Sequence, residues 1–141
     1  MSQNKNLERF VSAQAINYDD ALKEIQNGRK TTHWMWYVFP QVQGLGNSEM
    51  ARRYAIADLE EAKAYLAHPT LGPRLMQISK AMLSLPGNDA YTILGSPDDM
   101  KLRSCMTLFS KVPGADPVFS EVLNKFYNGQ EDERTLRIIN A

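Results

Sequence analysis

The residues best equipped for chemistry sit close together. From Lys30 to Ser48 the chain reads KTTHWMWYVFPQVQGLGNS, which holds both tryptophans, one of the two histidines and a Gly-Leu-Gly turn. His33 carries the side chain whose ordinary titration falls nearest neutral pH, which suits general acid/base work. A buried, hydrogen-bonded structural histidine is the competing reading. Lys30, three residues earlier, shares a side with His33 if the segment is helical. A basic Lys30/His33 edge beside aromatic rings would suit a phosphate or carboxylate ligand. Trp34 and Trp36 offer faces on which a flat ligand can stack. Successive helical residues turn by about 100°, so these two indoles diverge by roughly 200°. One is then a core anchor and the other is free to line a cleft, whereas a strand would put both on one face. Gln41, Gly44, Gly46 and Ser48 complete the candidate ligand-binding set. A glycine turn that feeds a helix start presents N–H groups able to hold an anion. The plainer reading is a capped turn in which Ser48 satisfies those donors itself.

A second polar edge follows Ser96. Lys101, Ser104 and Thr107 recur at helical spacing, opposite an apolar stripe of Leu102, Cys105, Met106 and Phe109. Asp98 and Lys101 form at least an ordinary i,i+3 surface pair. If this edge faced Lys30 and His33 across a groove, the two would make a polar pocket. Cys105, on the apolar stripe, reads as an inert core thiol. His33 and His68 are far apart, and no H-x-x-x-H or C-x-x-C occurs, so neither a metal nor a cofactor is expected. GLGNSE lacks the third glycine and the βαβ setting of a dinucleotide fingerprint.

Size and charge bound the rest. A chain of 141 residues fits one domain. Its single cysteine cannot form an internal disulfide. Sixteen basic residues balance sixteen acidic ones, and the first seventy residues carry eight of each. Nucleic-acid binding by counterion release is disfavoured by that balance. The N-terminal MSQNKNLERF has no apolar run of signal-peptide length, and no stretch approaches the ~20 apolar residues of a membrane span. A soluble, cytoplasmic protein is expected.

The positioning elements read as helices. Leu7–Ala15 is a first helix, with Leu7, Phe10, Val11 and Gln14 on one face. Asn17 reads as the N-cap of a second, which Gly28 ends. The run Trp34–Phe39 is apolar on both parities and has no partner strand, so a short helix over Thr32–Val38 is preferred. Phe39 turns extended before Pro40. Ser48 caps the next helix, and Asp58 with Glu61 opens Leu59–Ala67. Pro73 sits in the first turn of a helix broken at Pro86-Gly87. Ser96-Pro97-Asp98-Asp99 reads as N-cap, N1 and two acids at the positive end of a dipole. Asp116-Pro117 and Asp132 start the last two helices. The expectation is one all-α domain over residues 1–141, of eight or nine short helices, with residues 1–6 as a flexible arm.

The stretches GRKTTHWMWYVFPQVQGLGNS, ARRYAIADLEEAKAYLAHPTLGPRL and GSPDDMKLRSCMTLF resemble a widespread bacterial family of unknown function. Some of its members carry the label calpastatin, for which these residues give no physical support. The match runs from about Leu7 to Ile139 and rests on the motifs HWMW-x-x-FPQ, YLAHP-x-LG-x-RL and D-x-KLRS-x-MTLF. It implies a single, mainly helical domain and no mechanism. The order of parts is also similar to that of the NADAR proteins, all-helical and implicated in N-glycosidic chemistry on riboflavin precursors and ADP-ribose derivatives. Their aromatic helix carries a Glu-His pair where this chain has Thr32-His33.

The resulting expectation is a protein that binds or processes a nucleotide-like or ADP-ribose-like, phosphate-bearing molecule. His33 would act in acid/base chemistry or ligand orientation, and Trp34 or Trp36 would stack the flat group. Lys30, Lys101 and the Gly44–Ser48 turn would hold phosphate. The alternative is a non-catalytic binding or interaction module, such as a homo-oligomer whose interface covers His33 and Trp36.

Overall fold

Helix α7 (Asp98–Ser110) is the post against which much of the molecule is laid. From Ser104 to Phe109 every residue is buried, as befits a helix enclosed on all sides. The computed structural model describes the backbone of residues 2–140 and the side chains of residues 7–140. The expected arm at residues 1–6 lies outside the residues whose side chains are described. Among the described residues the other helices are α1 (Ser2–Gln26), α2 (Met35–Val38), α3 (Glu49–Arg53), α4 (Leu59–Ala67), α5 (Leu71–Ser84), α6 (Ala90–Leu94), α8 (Val118–Tyr127) and α9 (Glu133–Ile139). The all-α expectation holds. Helix α7 packs on α4, α6, α8 and α9, while α5 packs on α1, α4 and α8.

Local sequence explains most boundaries. Ser48, Asp58, Asp89 and Asp132 each accept a hydrogen bond from a backbone N–H in the first turn they precede. Gly28 N–H donates to Ile25 and Arg29 N–H to Glu24, the paired bonds that close a helix C-terminus. Lys125 serves α5 in trans. Its ammonium donates to the carbonyls of Met82, Leu83 and Leu85, at the negative end of that helix. Between α4 and α5 the backbones approach so closely that a Cβ on Gly72 would lie 2.1 Å from the Leu66 carbonyl oxygen.

Aromatic rings tie the layers. Phe10 meets Tyr65 edge-on at 5.2 Å, Tyr65 meets Phe109 at 5.2 Å, and Phe109 meets Phe119 at 5.9 Å. Gln14 is buried on the face expected of it, donating to the Tyr37 carbonyl at 2.7 Å and the Tyr65 hydroxyl at 3.0 Å.

Three local expectations are corrected. Leu7–Ala15 and the following helix run on as α1 and are parted, where the two-helix reading puts the boundary, by a kink at Asn17 with non-helical backbone (φ −142°, ψ 19°). The Asn17 amide does not cap. It donates to the Tyr37 hydroxyl at 2.8 Å instead. At the start of α7, Pro97 occupies the cap position and Ser96 makes no cap bond; the Ser96–Pro97 peptide is cis. The helix predicted over Thr32–Val38 is reduced to Met35–Val38, because Trp34 leaves the helical region (φ −141°, ψ 4°) and stands as the cap residue.

Candidate functional site

Glu24 organises the stretch before α2. Its carboxylate accepts from the N–H of Thr31 (2.8 Å), the N–H of Thr32 (3.0 Å), the Thr32 hydroxyl (2.5 Å) and the indole N–H of Trp34 (2.9 Å). Burial alone would raise the Glu24 pKa. The four donors outweigh it and hold the group down at about 2. Trp34 is fully buried, with Phe39 6.3 Å away, and so has no face to offer a ligand. This knot also separates Lys30 from His33. Lys30 folds back over the Trp34 ring and pairs with Asp98 at 2.9 Å. His33 points outward and is exposed. The shared Lys30/His33 edge expected of a helix does not form.

Two residues on, Trp36 is only half-buried. It is a wall of a cleft of about 450 Å³ between the 41–48 loop and the flank of α7. Gln41, Gly46, Ser48, Lys101 and Ser104 line the same cleft. The loop is pinned from behind: Gln43 N–H donates to Ile56 and Ile56 N–H to Gln41, both at 2.8 Å. Gly46 is required for its close approach to α3, since a Cβ there would meet that of Ala51 at 2.8 Å. Gly44 lies on the other side of the loop, in an adjoining chamber of about 290 Å³ that also reaches Trp36. Ser48 is spent on the Ala51 N–H, and the Asn47 carbonyl accepts from Arg52, so the turn is a capped turn.

The α7 flank differs from the exposed polar edge expected. Ser104 and Thr107 are buried because α9 covers them. The Ser104 hydroxyl donates to Asp132 at 3.0 Å, and the Thr107 hydroxyl accepts from the Asp132 N–H at 2.9 Å. The other Asp132 ties run to the N–H (3.1 Å) and hydroxyl (2.5 Å) of Thr135. Lys101 stands 4.9 Å over the Trp36 ring and 3.3 Å from Asp98, which thus bridges it to Lys30.

Sequence reasoning missed Arg103, Asp132 and Arg134, which line the cleft beside Lys101. Arg103 faces outward from a core helix, but Arg134 stands about thirty residues away, and only the α7–α9 contact unites them. Of the predicted site, Trp36, Gln41, Gly46, Ser48, Lys101 and Ser104 converge, whereas Lys30, His33, Trp34 and Gly44 do not line this cleft. Cys105 is fully buried and burial pushes its thiol pKa up, which fits an inert thiol. Among the described residues no three metal-ligating side chains gather, and no helix is long and apolar enough to cross a membrane.

Among the described residues, nine helices with α7 at the core, and one indole turned out to a basic cleft, define a small all-α domain. The chain belongs to the family described as protein of unknown function (DUF1810), which it matches over residues 4–139. It is similar to the conserved hypothetical protein Rv1873 from Mycobacterium tuberculosis, known from a 1.38 Å crystal structure. The two share 47% identity with a TM-score of 0.94, over 96% of this chain and 97% of that one. No curated protein matches. Neither description mentions calpastatin or N-glycosidic chemistry.

Proposed function

We propose that the protein binds a small molecule joining a flat group to an anionic one, nucleotide-like or ADP-ribose-like, in the cleft beside Trp36. One observation carries the reading: six of the residues singled out from the sequence line a single cleft of about 450 Å³. That volume lies within the usual range for small-molecule sites. The lining offers an indole together with Lys101, Arg103 and Arg134, against one carboxylate, Asp132. Excess positive charge in a cleft with low-dielectric walls concentrates anions. The reading is one of binding. His33 is outside the cleft lining, so no general acid or base is assigned there.

Calorimetry and tryptophan fluorescence with adenosine monophosphate, ADP-ribose, NAD and flavin precursors test it. Saturable binding is expected, weakened about ten-fold by Trp36→Ala, since stacking of a base on an aromatic ring is worth about 1–3 kcal/mol. Absence of millimolar binding by every compound would refute it. A stable dimer in sedimentation whose interface covers Trp36 would favour an interaction module.

A further inference from the structure

The cations of the cleft are not equally free. Lys101 and Lys30 share the Asp98 carboxylate, at 3.3 and 2.9 Å, and each ammonium also lies over an indole. Each is thus already held by partners within the protein. Arg103 is in the opposite condition. Its Nε–H is buried without a hydrogen-bond partner, one of two such side-chain atoms among the described residues. Its Nη2 stands 3.8 Å from Asp132 Oδ1, an ion-pair distance too long for a hydrogen bond. Asp132 cannot readily come closer. Its other oxygen is held by Ser104 and by both donors of Thr135, and it caps α9. Arg134, on the first turn of α9, is exposed and makes one long bond of 3.3 Å, to the Leu45 carbonyl in the cleft loop. Arg103 and Arg134 both line the cleft, and both also line the depression on its far side.

A buried donor left without an acceptor costs about 1–3 kcal/mol and calls for an explanation. A guanidinium presents its donors as a planar fork that matches the oxygens of a phosphate or carboxylate, which an ammonium cannot do. We infer that Arg103 and Arg134 form a two-arginine clamp for a phosphoryl group of the cleft ligand, while Lys101 serves Trp36 and Asp98. The inference rests on the cleft reading above and moves phosphate recognition from the lysines and the glycine turn to α7 and α9. On binding, the Arg103 fork swings off its loose contact with Asp132, so that Nε and one Nη donate to two phosphoryl oxygens. Arg134 closes from the loop side by exchanging the Leu45 carbonyl for the ligand.

Inorganic pyrophosphate tests the clamp without the flat group. Calorimetry at low ionic strength is run on the full chain and on Arg103→Lys, Arg134→Lys and Lys101→Gln, with adenosine as the uncharged probe. The lysine replacements keep charge and remove the fork. Each is expected to weaken pyrophosphate about ten-fold, the loss of one charge-assisted hydrogen bond, against less than about three-fold for Lys101→Gln. Adenosine binding stays unchanged in both arginine variants. No pyrophosphate binding to the parent chain, or affinity that survives both arginine changes, overturns the clamp. Adenosine binding that responds to Trp36→Ala would leave the cleft reading standing in that case. Pyrophosphate binding without adenosine binding would keep the clamp and remove the flat-group half. Arg134 is exposed, so Arg134→Lys carries the test if Arg103→Lys fails to fold.

Discussion

Trp34 and Trp36 are two residues apart and lead opposite lives. Around Trp34 four donors have found one acceptor: the indole N–H, two backbone N–H groups and a hydroxyl converge on Glu24, and the ring is sealed. Around Trp36 the account is open. The ring is half exposed, an arginine Nε lacks a partner, and the arginine pairs are long. Saturation marks a region built for stability, and unmet donors in a cleft mark one that can take a ligand.

Substitutions can break this contrast or sharpen it. Trp34→Ala is expected to cost about 3–5 kcal/mol in chemical denaturation, while Trp36→Ala costs about 1 kcal/mol or less and acts on binding. Equal losses would erase the distinction. Glu24→Ala comes next, at about 2–3 kcal/mol, because the buried indole N–H loses a charged acceptor while water can replace Glu24 at the exposed threonines. The same carboxylate sets an acid limit. Its folded pKa of about 2 lies below the ordinary 4.5, so its stabilisation is full above about pH 4.5 and is lost as pH falls toward 2. Denaturation midpoints across that window should fall for the parent chain and flatten in Glu24→Gln. The smallest effect on binding is that of Asp98→Asn. It leaves the largely buried Lys30 ammonium without its carboxylate, at a cost to stability above that of an exposed pair, and should tighten pyrophosphate only slightly in calorimetry if the arginines hold it.

The sequence showed the helices more readily than the site. Apolar spacing and the Ser48, Asp58 and Asp132 caps are local signals, and local signals survive into the fold. The two indoles diverge as expected, though not by helical geometry, since Trp34 stands outside α2 as its cap residue with non-helical dihedrals. What could not be read was long-range partnership. Nothing near Glu24 announces that it reaches across Gly28 to claim Thr31 and Thr32. Lys30 and Lys101 were seen as cations; the carboxylate of Asp98 that occupies both was seen only as half of a surface pair. Arg103 and Arg134 meet through the packing of α9 on α7, which no spacing encodes.

The α4–α5 corner carries a consequence for how this chain can vary. With 2.1 Å between an added Cβ on Gly72 and the Leu66 carbonyl oxygen, even the smallest side chain must push one helix off the other. The obstacle is not a flexible tip that could swing aside; it belongs to the main chain. Position 72 is therefore closed to divergence. An alignment of relatives that keep this corner should show glycine there, whatever ligand each has come to hold.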